Sequence, residues 1–262
     1  MGAPRYYLLP VLCCLGLAGW RPPEEKAPMH MNAPRWKLAL DKALAAHPKA
    51  TVIQMASLDV NTPVPHVRSL VFRAFISLTD DETHPLLLAT TDVRSPKTTQ
   101  LIANPNVQVV WWIEGAQEQY RIAGTARVIP APSQALHKHF VHTLVELQNQ
   151  PQNKKRVSEF DWEAKRLETF RSMSPYMKAS WCRPVPGSRL EGGQDEAKRW
   201  PVEVFEPKDG EDTSSWDMAL SNFALLVIEP REVDHIELAP VPNLRTRYWR
   251  TDGVWRDEEL VP

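Results

Sequence analysis

Cysteine is scarce. The 262 residues hold three, Cys13, Cys14 and Cys182. That is too few for a disulfide framework, and no CxxC pair offers a metal site. Charge of one sign is lacking too: the formal net charge is −1, with both signs mixed along the chain. This excludes a basic field for nucleic acid and an acidic solvating tail. There is no GxSxG, Walker loop, HExxH or GxGxxG. No internal repeat or coiled coil is present, and no apolar run is long enough to span a bilayer. Tyr6 to Ala18 is apolar but short, and it follows Arg5 as a signal-peptide core would, with a poor cleavage region at Ala18-Gly19-Trp20. Met29-His30-Met31-Asn32 directly precedes the first good helix signal, so a biological start near Met31 is the second explanation. Nothing downstream is built for secretion, and a lone remaining cysteine suits a reducing compartment. The expectation is a cytoplasmic protein, with secretion or organelle targeting the alternative that the leader-like run keeps open. Residues 1–30 are then a leader or dispensable extension, and 31–262 a single domain.

Proline (24) and tryptophan (10) are abundant. The prolines fall between apolar segments, which predicts a well-punctuated β-rich fold. Asn32 caps a first helix with Trp36, Leu40, Ala43 and Leu44 on one face. Strands follow over Thr51 to Leu58 and Pro65 to Ile76. Val67, Ser69, Val71 and Arg73 share one face of the second, and Arg68, Leu70, Phe72 and Ala74 the other. After Trp111-Trp112-Ile113, a strand over Gln117 to Ile129 carries Gly124 as a bulge. Ser133 caps a helix, Asn149 to Arg156 is a polar linker, and a second helix runs from about Glu159 to Met173. Ser174 to Ser188 is a dense loop of hydroxyls, cations and prolines. Residues 191–217 are a surface insertion. Asn222 to Ile228 is a strand that Glu229-Pro230 breaks, and Val233 to Leu238 resumes it. A hairpin around Asp252-Gly253 ends the chain. Short turns between neighbouring strands imply an antiparallel sheet closed as a barrel.

The stretch from Leu86 to Gly124 organises the rest. An apolar strand leads to Thr90-Thr91-Asp92-Val93-Arg94-Ser95-Pro96-Lys97, where Ser95 before Pro96 predicts a helix N-terminus flanked by two cations. Such a start binds phosphate, and it serves equally as a solvated turn. Other chemistry is weaker. His139 and His142 lack a carboxylate or cysteine to complete a metal set. Asp80, Asp81 and Glu82 adjoin one another on a turn suited to solvation. Cys182 reads as a structural thiol. What is left is a set of cations and hydrogen-bonding side chains that fits a phosphorylated, planar ligand.

VRSLVFRAF (67–75), ATTDVRSPKTTQLIANP (89–105), EQYRIAG (118–124), SPYMKASWCRPVPG (174–187) and NFALLVIEPREVDHIEL (222–238) occur in that order. Together they resemble the pyridoxamine 5′-phosphate oxidase-like FMN-binding split-barrel family, in a cyanobacterial and fungal branch, over about Pro34 to Pro262. The resemblance implies a β-rich α+β fold, a mostly antiparallel FMN-binding split β-barrel with peripheral helices. It implies FMN as cofactor, a homodimer with the site at the subunit interface, and oxidoreductase activity on a small molecule. A non-catalytic FMN binder or sensor is the alternative. By position, Arg68 and Lys97 would hold the FMN phosphate, with Arg94 and Ser95 beside them. Ser69, Leu70, Val71, Thr90 and Thr91 would line the flavin, Gln119 would hydrogen-bond it, and Ser180 and Arg247 would reach it. Arg73 and Arg245 would orient the substrate. Pro96 stands where the family has a second phosphate cation, and Arg245-Thr246-Arg247 departs from its Arg-x-His substrate motif.

Overall fold

The computed structural model describes residues 33–59, 62, 64–78, 82–148 (without the side chains of 141 and 144–148) and 160–262. They belong to one compact unit spanning 31–262. The leader, the Asn32 cap, Asp80, Asp81 and the 149–156 linker lie outside the described residues. The first helix, α1 (Arg35–Ala46), buries Trp36, Leu40 and Ala43 as its apolar spacing directs.

Alternating apolar residues then build β1 (Val52–Leu58), β2 (Pro65–Val71), β3 (Ala74–Ile76), β4 (Leu86–Asp92), β5 (Asn106–Ile113), β6 (Glu118–Ile129), β7 (Phe223–Glu237), β8 (Leu244–Thr251) and β9 (Val254–Glu259). They form one antiparallel sheet ordered β2-β1-β5-β6-β7-β4-β3, with β8 on β7 and β9 on β8.

The two ends of that order are one piece of chain. The expected single strand from Pro65 to Ile76 bends at Phe72-Arg73. Phe72 N–H donates to Thr51 O at 2.8 Å, beside β1, and Arg73 N–H donates to Leu88 O at 2.8 Å, on β4. The bend curls the sheet into a split barrel and fixes Arg73 at its seam. Ile53, Met55, Leu87, Val109, Trp111, Ile122 and Val233 fill the inside. The other face of β4 and β7, with Leu86, Leu88, Phe223, Leu225 and Val227, packs a second core. This explains why β7 is apolar at every position from Phe223 to Ile228: both of its faces are covered there.

Gly124 is the bulge it was expected to be. The β6–β7 register shifts there, and a Cβ would collide with the Glu229 carbonyl oxygen. Pro230 pairs with Gly124 at the shift. The irregular ladder needs no N–H at that point, so β7 runs through Glu229-Pro230 instead of breaking. Asp252 and Gly253, at φ 52° and 79°, make the β8–β9 turn.

The helices depart more from expectation. The one predicted from Ser133 is α3 (His137–Gln148). The one predicted from about Glu159 is α4 (Trp162–Arg171), whose cap Asp161 accepts from Ala164 N–H at 2.8 Å. The dense loop opens with α5 (Pro175–Ala179), capped by Ser174. Residues 191–217 hold α6 (Gly193–Ala197) and the start of α7 (Ser214–Asn222). The insertion is only partly superficial, since buried Val204 and Trp216 anchor it in the second core.

Candidate functional site

β4 ends on Thr90, Thr91 and Asp92, and Ser95-Pro96 starts the helix α2 (Pro96–Ala103). Ser95 takes the N-cap position but does not cap. Its hydroxyl lies 3.3 Å from Thr91 Oγ1 and accepts from Lys97 Nζ at 3.0 Å. Lys97 Nζ also donates to Thr91 Oγ1 at 2.9 Å. One turn along α2, Gln100 Oε1 accepts from Arg68 at 3.0 Å and from Ser57 Oγ at 2.7 Å. Arg68 donates further to Ser57 Oγ at 2.7 Å and Met55 O at 3.2 Å.

Both cations are thus held by neutral oxygens. Burial lowers the pKa of Lys97 and the nearby charge of Arg68 lowers it further, with Asp92 pulling the other way. Burial also lowers those of Arg68 and Arg73. Among the described residues no carboxylate lies at ion-pair distance from these three. An anion placed there relieves the desolvated positive charge.

Lys97 opens onto a cleft of about 1380 Å³. Of the sequence-predicted residues, Ser69, Leu70, Val71, Arg73, Thr90, Thr91, Arg94, Lys97 and Ser180 border it. Ser95 lies buried behind Lys97, and Arg68 backs the site through Gln100 without bordering the cleft. Ser180 donates its hydroxyl to Met177 O at 2.6 Å.

Three expectations need correction. Arg94 borders the cleft but is no free phosphate cation, because Asp92 holds it through contacts of 3.0 and 2.6 Å. Its Nη2 also donates to Arg183 O at 3.0 Å and Trp181 O at 3.4 Å. Within one chain, Arg245 and Arg247 do not reach the cleft. Arg245 is forked onto Asp234 at 3.0 and 2.9 Å, and Arg247 onto Glu232 at the same distances. Gln119 sits mid-sheet between Trp112 and Ile236. The register places Ser69, Gln54, Val110, Arg121, Asp234 and Arg247 in one row on the outer face. At a strand spacing of about 4.8 Å, Arg247 is roughly 24 Å along the sheet from Ser69, and Gln119 is two strands, roughly 10 Å, from Val52 on the cleft border. A separate polar knot of Glu118, His235 and Glu237 has metal-ligand spacing, but it borders no part of the cleft. There His235 Nε2 meets Glu118 Oε2 at 3.1 Å and Tyr120 stacks on the imidazole.

Sequence reasoning missed Arg183 and Trp200, which border the cleft opposite the barrel strands. For Arg183 the available signal was a cation directly before Pro184-Val185-Pro186-Gly187. For Trp200 there was none.

The residues fit FMN on the structure's own terms. Desolvated cations with neutral partners and two hydroxyls suit a phosphomonoester. The cleft also exceeds the 300–1,000 Å³ or so of a usual ligand site. Residues 33–130 match the family described as pyridoxamine 5′-phosphate oxidase, FMN-binding domain. This segment is an FMN-binding domain of that family. Pyridoxine/pyridoxamine 5′-phosphate oxidase 2 of Arabidopsis thaliana is 27% identical over 233 residues, covering 87% of this chain and 96% of its own. A pyridoxamine 5′-phosphate oxidase-related FMN-binding protein of Nostoc punctiforme superposes at TM-score 0.64, with 24% identity over 87% of this chain and 98% of that one. PhzG of Burkholderia lata superposes at 0.57, with 14% identity over 91% and 98%. The fold of the FMN-binding domain is therefore the antiparallel split barrel. No described helix is long and apolar enough to cross a membrane.

Proposed function

We propose that the protein is an FMN-dependent oxidoreductase acting on a small molecule. The observation that carries this is the pair of uncompensated cations, Lys97 on the border of a large cleft and Arg68 behind it, in an FMN-binding fold. Lys97 and Thr91 hold the phosphate, Ser95 behind them positions Lys97, Arg68 and Gln100 set its surroundings, and Ser69 to Val71 with Thr90 line the ring and ribityl chain. FMN, when bound, supplies hydride acceptance or donation. The chain orients the substrate, through Arg73, and keeps water from the ring.

The exposed outer face of β2, β1 and β5 supports a homodimer. Val67 (66% exposed), Val71, Val52 and Trp112 form an apolar surface continuous with Gln119. Facing a second copy would explain why Gln119 and Arg247 stand on this face yet away from their own chain's cleft. The lone described cysteine, Cys182, with its Sγ 3.1 Å from Ser215 O, supports a cytoplasmic setting.

Among the described residues the cleft border carries no histidine, and its Asp92 is spent on Arg94, which supports a second reading as a non-catalytic FMN carrier or sensor. The visible spectrum of the purified protein, before and after a nicotinamide or dithionite donor, separates these. A colourless protein that takes up no FMN contradicts both. Flavin that dithionite reduces but no nicotinamide or small-molecule donor does favours the second. Sedimentation velocity reports the dimer.

A further inference from the structure

The border of the cleft carries a cation outside the Lys97 and Arg68 cluster. Arg183 borders the cleft while its Nε is buried with no hydrogen-bond partner. Among the described residues no carboxylate lies at ion-pair distance from it. Glu196, also on the border, is paired with Arg199 at 3.2 Å, and Glu191 is exposed to solvent. A guanidinium on a cleft border without a carboxylate partner keeps its accessible donors for an anion there.

The backbone beneath Arg183 is fixed from several sides. Its carbonyl accepts from Arg94 at 3.0 Å, and Trp181 O accepts from Asn222 Nδ2 at 2.8 Å. The Trp181 indole N–H donates to Thr91 O at 3.3 Å, and Pro184 follows directly. Arg94, forked onto Asp92, is therefore a strut that ties the end of β4 to Arg183. Arg73 borders the same cleft from the barrel seam. Its Nε is also buried and unpartnered, and its Nη2 has only the weak acceptor Met177 Sδ at 3.6 Å. Trp200 adds an aromatic surface to the Arg183 wall.

We propose that Arg183 is a specificity-determining residue that binds the anionic group of a small planar substrate, a carboxylate or a phosphomonoester. A guanidinium on a rigid turn presents a fork matched to either group, and the Trp200 indole on the same cleft border offers a surface for the planar body. The proposal rests on the cleft being the FMN site, with Lys97 committed to the cofactor's phosphate and Arg68 behind it.

The test uses the full chain loaded with FMN. Phenyl phosphate and benzoate are titrated, with benzamide as the neutral control, following flavin absorbance and the heat of binding. At least one anion should bind, and benzamide about tenfold or more weaker. Arg183→Gln should weaken the anion about tenfold or more, while Arg183→Lys, which keeps the charge and loses the fork, recovers part of it. FMN affinity should not change in either variant. Unchanged anion affinity in Arg183→Gln overturns the proposal, as does failure of both anions to bind the loaded wild type. Loss of FMN from both variants would assign Arg183 to the cofactor and also overturn it. If Arg183→Gln does not fold by circular dichroism, the Lys variant carries the test, and an unchanged anion affinity there is the contrary result. A wild-type chain that takes up no FMN contradicts the underlying cofactor reading, before any variant is made.

Discussion

The cations at the cleft and those across β6, β7 and β8 are in opposite electrostatic states. At the cleft, Arg68, Arg73 and Lys97 meet hydroxyls, carbonyls, an amide and a thioether, and burial lowers the pKa of each. Across the sheet, Arg121 and Arg245 share Asp234, Arg247 lies between Glu232 and Glu258, and Arg127 and Arg250 grip the buried Glu229. Hydrogen bonds to Asp234 and Glu232 raise the pKa of Arg245 and Arg247. Burial works against the Glu229 charge, yet Arg250 and Arg127 outweigh it and its pKa is lowered. The contrast teaches that an anion site is marked by the lack of carboxylates around its cations, not by their density. One set holds the sheet together, and the other is the set we propose for the FMN phosphate.

The largest effect expected is at the cleft. Arg68→Ala with Lys97→Ala removes the charge-assisted bond from Lys97, about 1.5–3 kcal/mol, together with the second positive charge behind it, so the protein should purify without flavin while its circular dichroism is unchanged. On the compensated side, Glu229→Gln leaves Arg127 and Arg250 buried around a neutral amide and should cost about 3–5 kcal/mol in urea denaturation. The two sets should also respond to opposite ends of the pH scale. Lys97 has a folded pKa below its usual 10.5, so the flavin-free protein gains stability as pH rises from the lowered value to 10.5. Inorganic phosphate or Lys97→Met should abolish that gain. Glu229 has a folded pKa below its usual 4.5, so its contribution is full above 4.5 and lost as pH falls through the lowered value. Glu229→Gln should flatten that acid limb. Smallest is Arg121→Met: its side chain is 39% exposed in its pair with Asp234, and the loss should be about 0–1 kcal/mol.

Much of this contrast was not legible in the sequence, although most of the fold was. Strand alternation, the Ser95-Pro96 helix start, the Gly124 bulge and the Asp252-Gly253 turn are local signals, and the structure obeys them. The bend at Phe72-Arg73 is not local, because it exists only when two sheet edges meet. Pro230 misled because the register shift that accommodates it depends on Gly124, a hundred residues away in the chain. Ser174-Pro175 carried the same cap signature as Ser95-Pro96, so α5 was readable and was passed over. At the site, Lys97 and Arg68 were legible as cations, but charge compensation was not. Arg94 lies two residues from Asp92, and only the turn between them shows that they pair. Asp234 and Glu232 reach Arg245 and Arg247 through strand register.

The affinity of the wild type and of the Arg68→Ala, Lys97→Ala double variant for FMN and for riboflavin, which lacks only the phosphate, tests the uncompensated cations most directly. FMN should bind the wild type about 100-fold or more tighter than riboflavin, and the double variant should bind the two nearly equally. A preference for FMN that survives the double substitution would place the phosphate elsewhere and contradict the assignment.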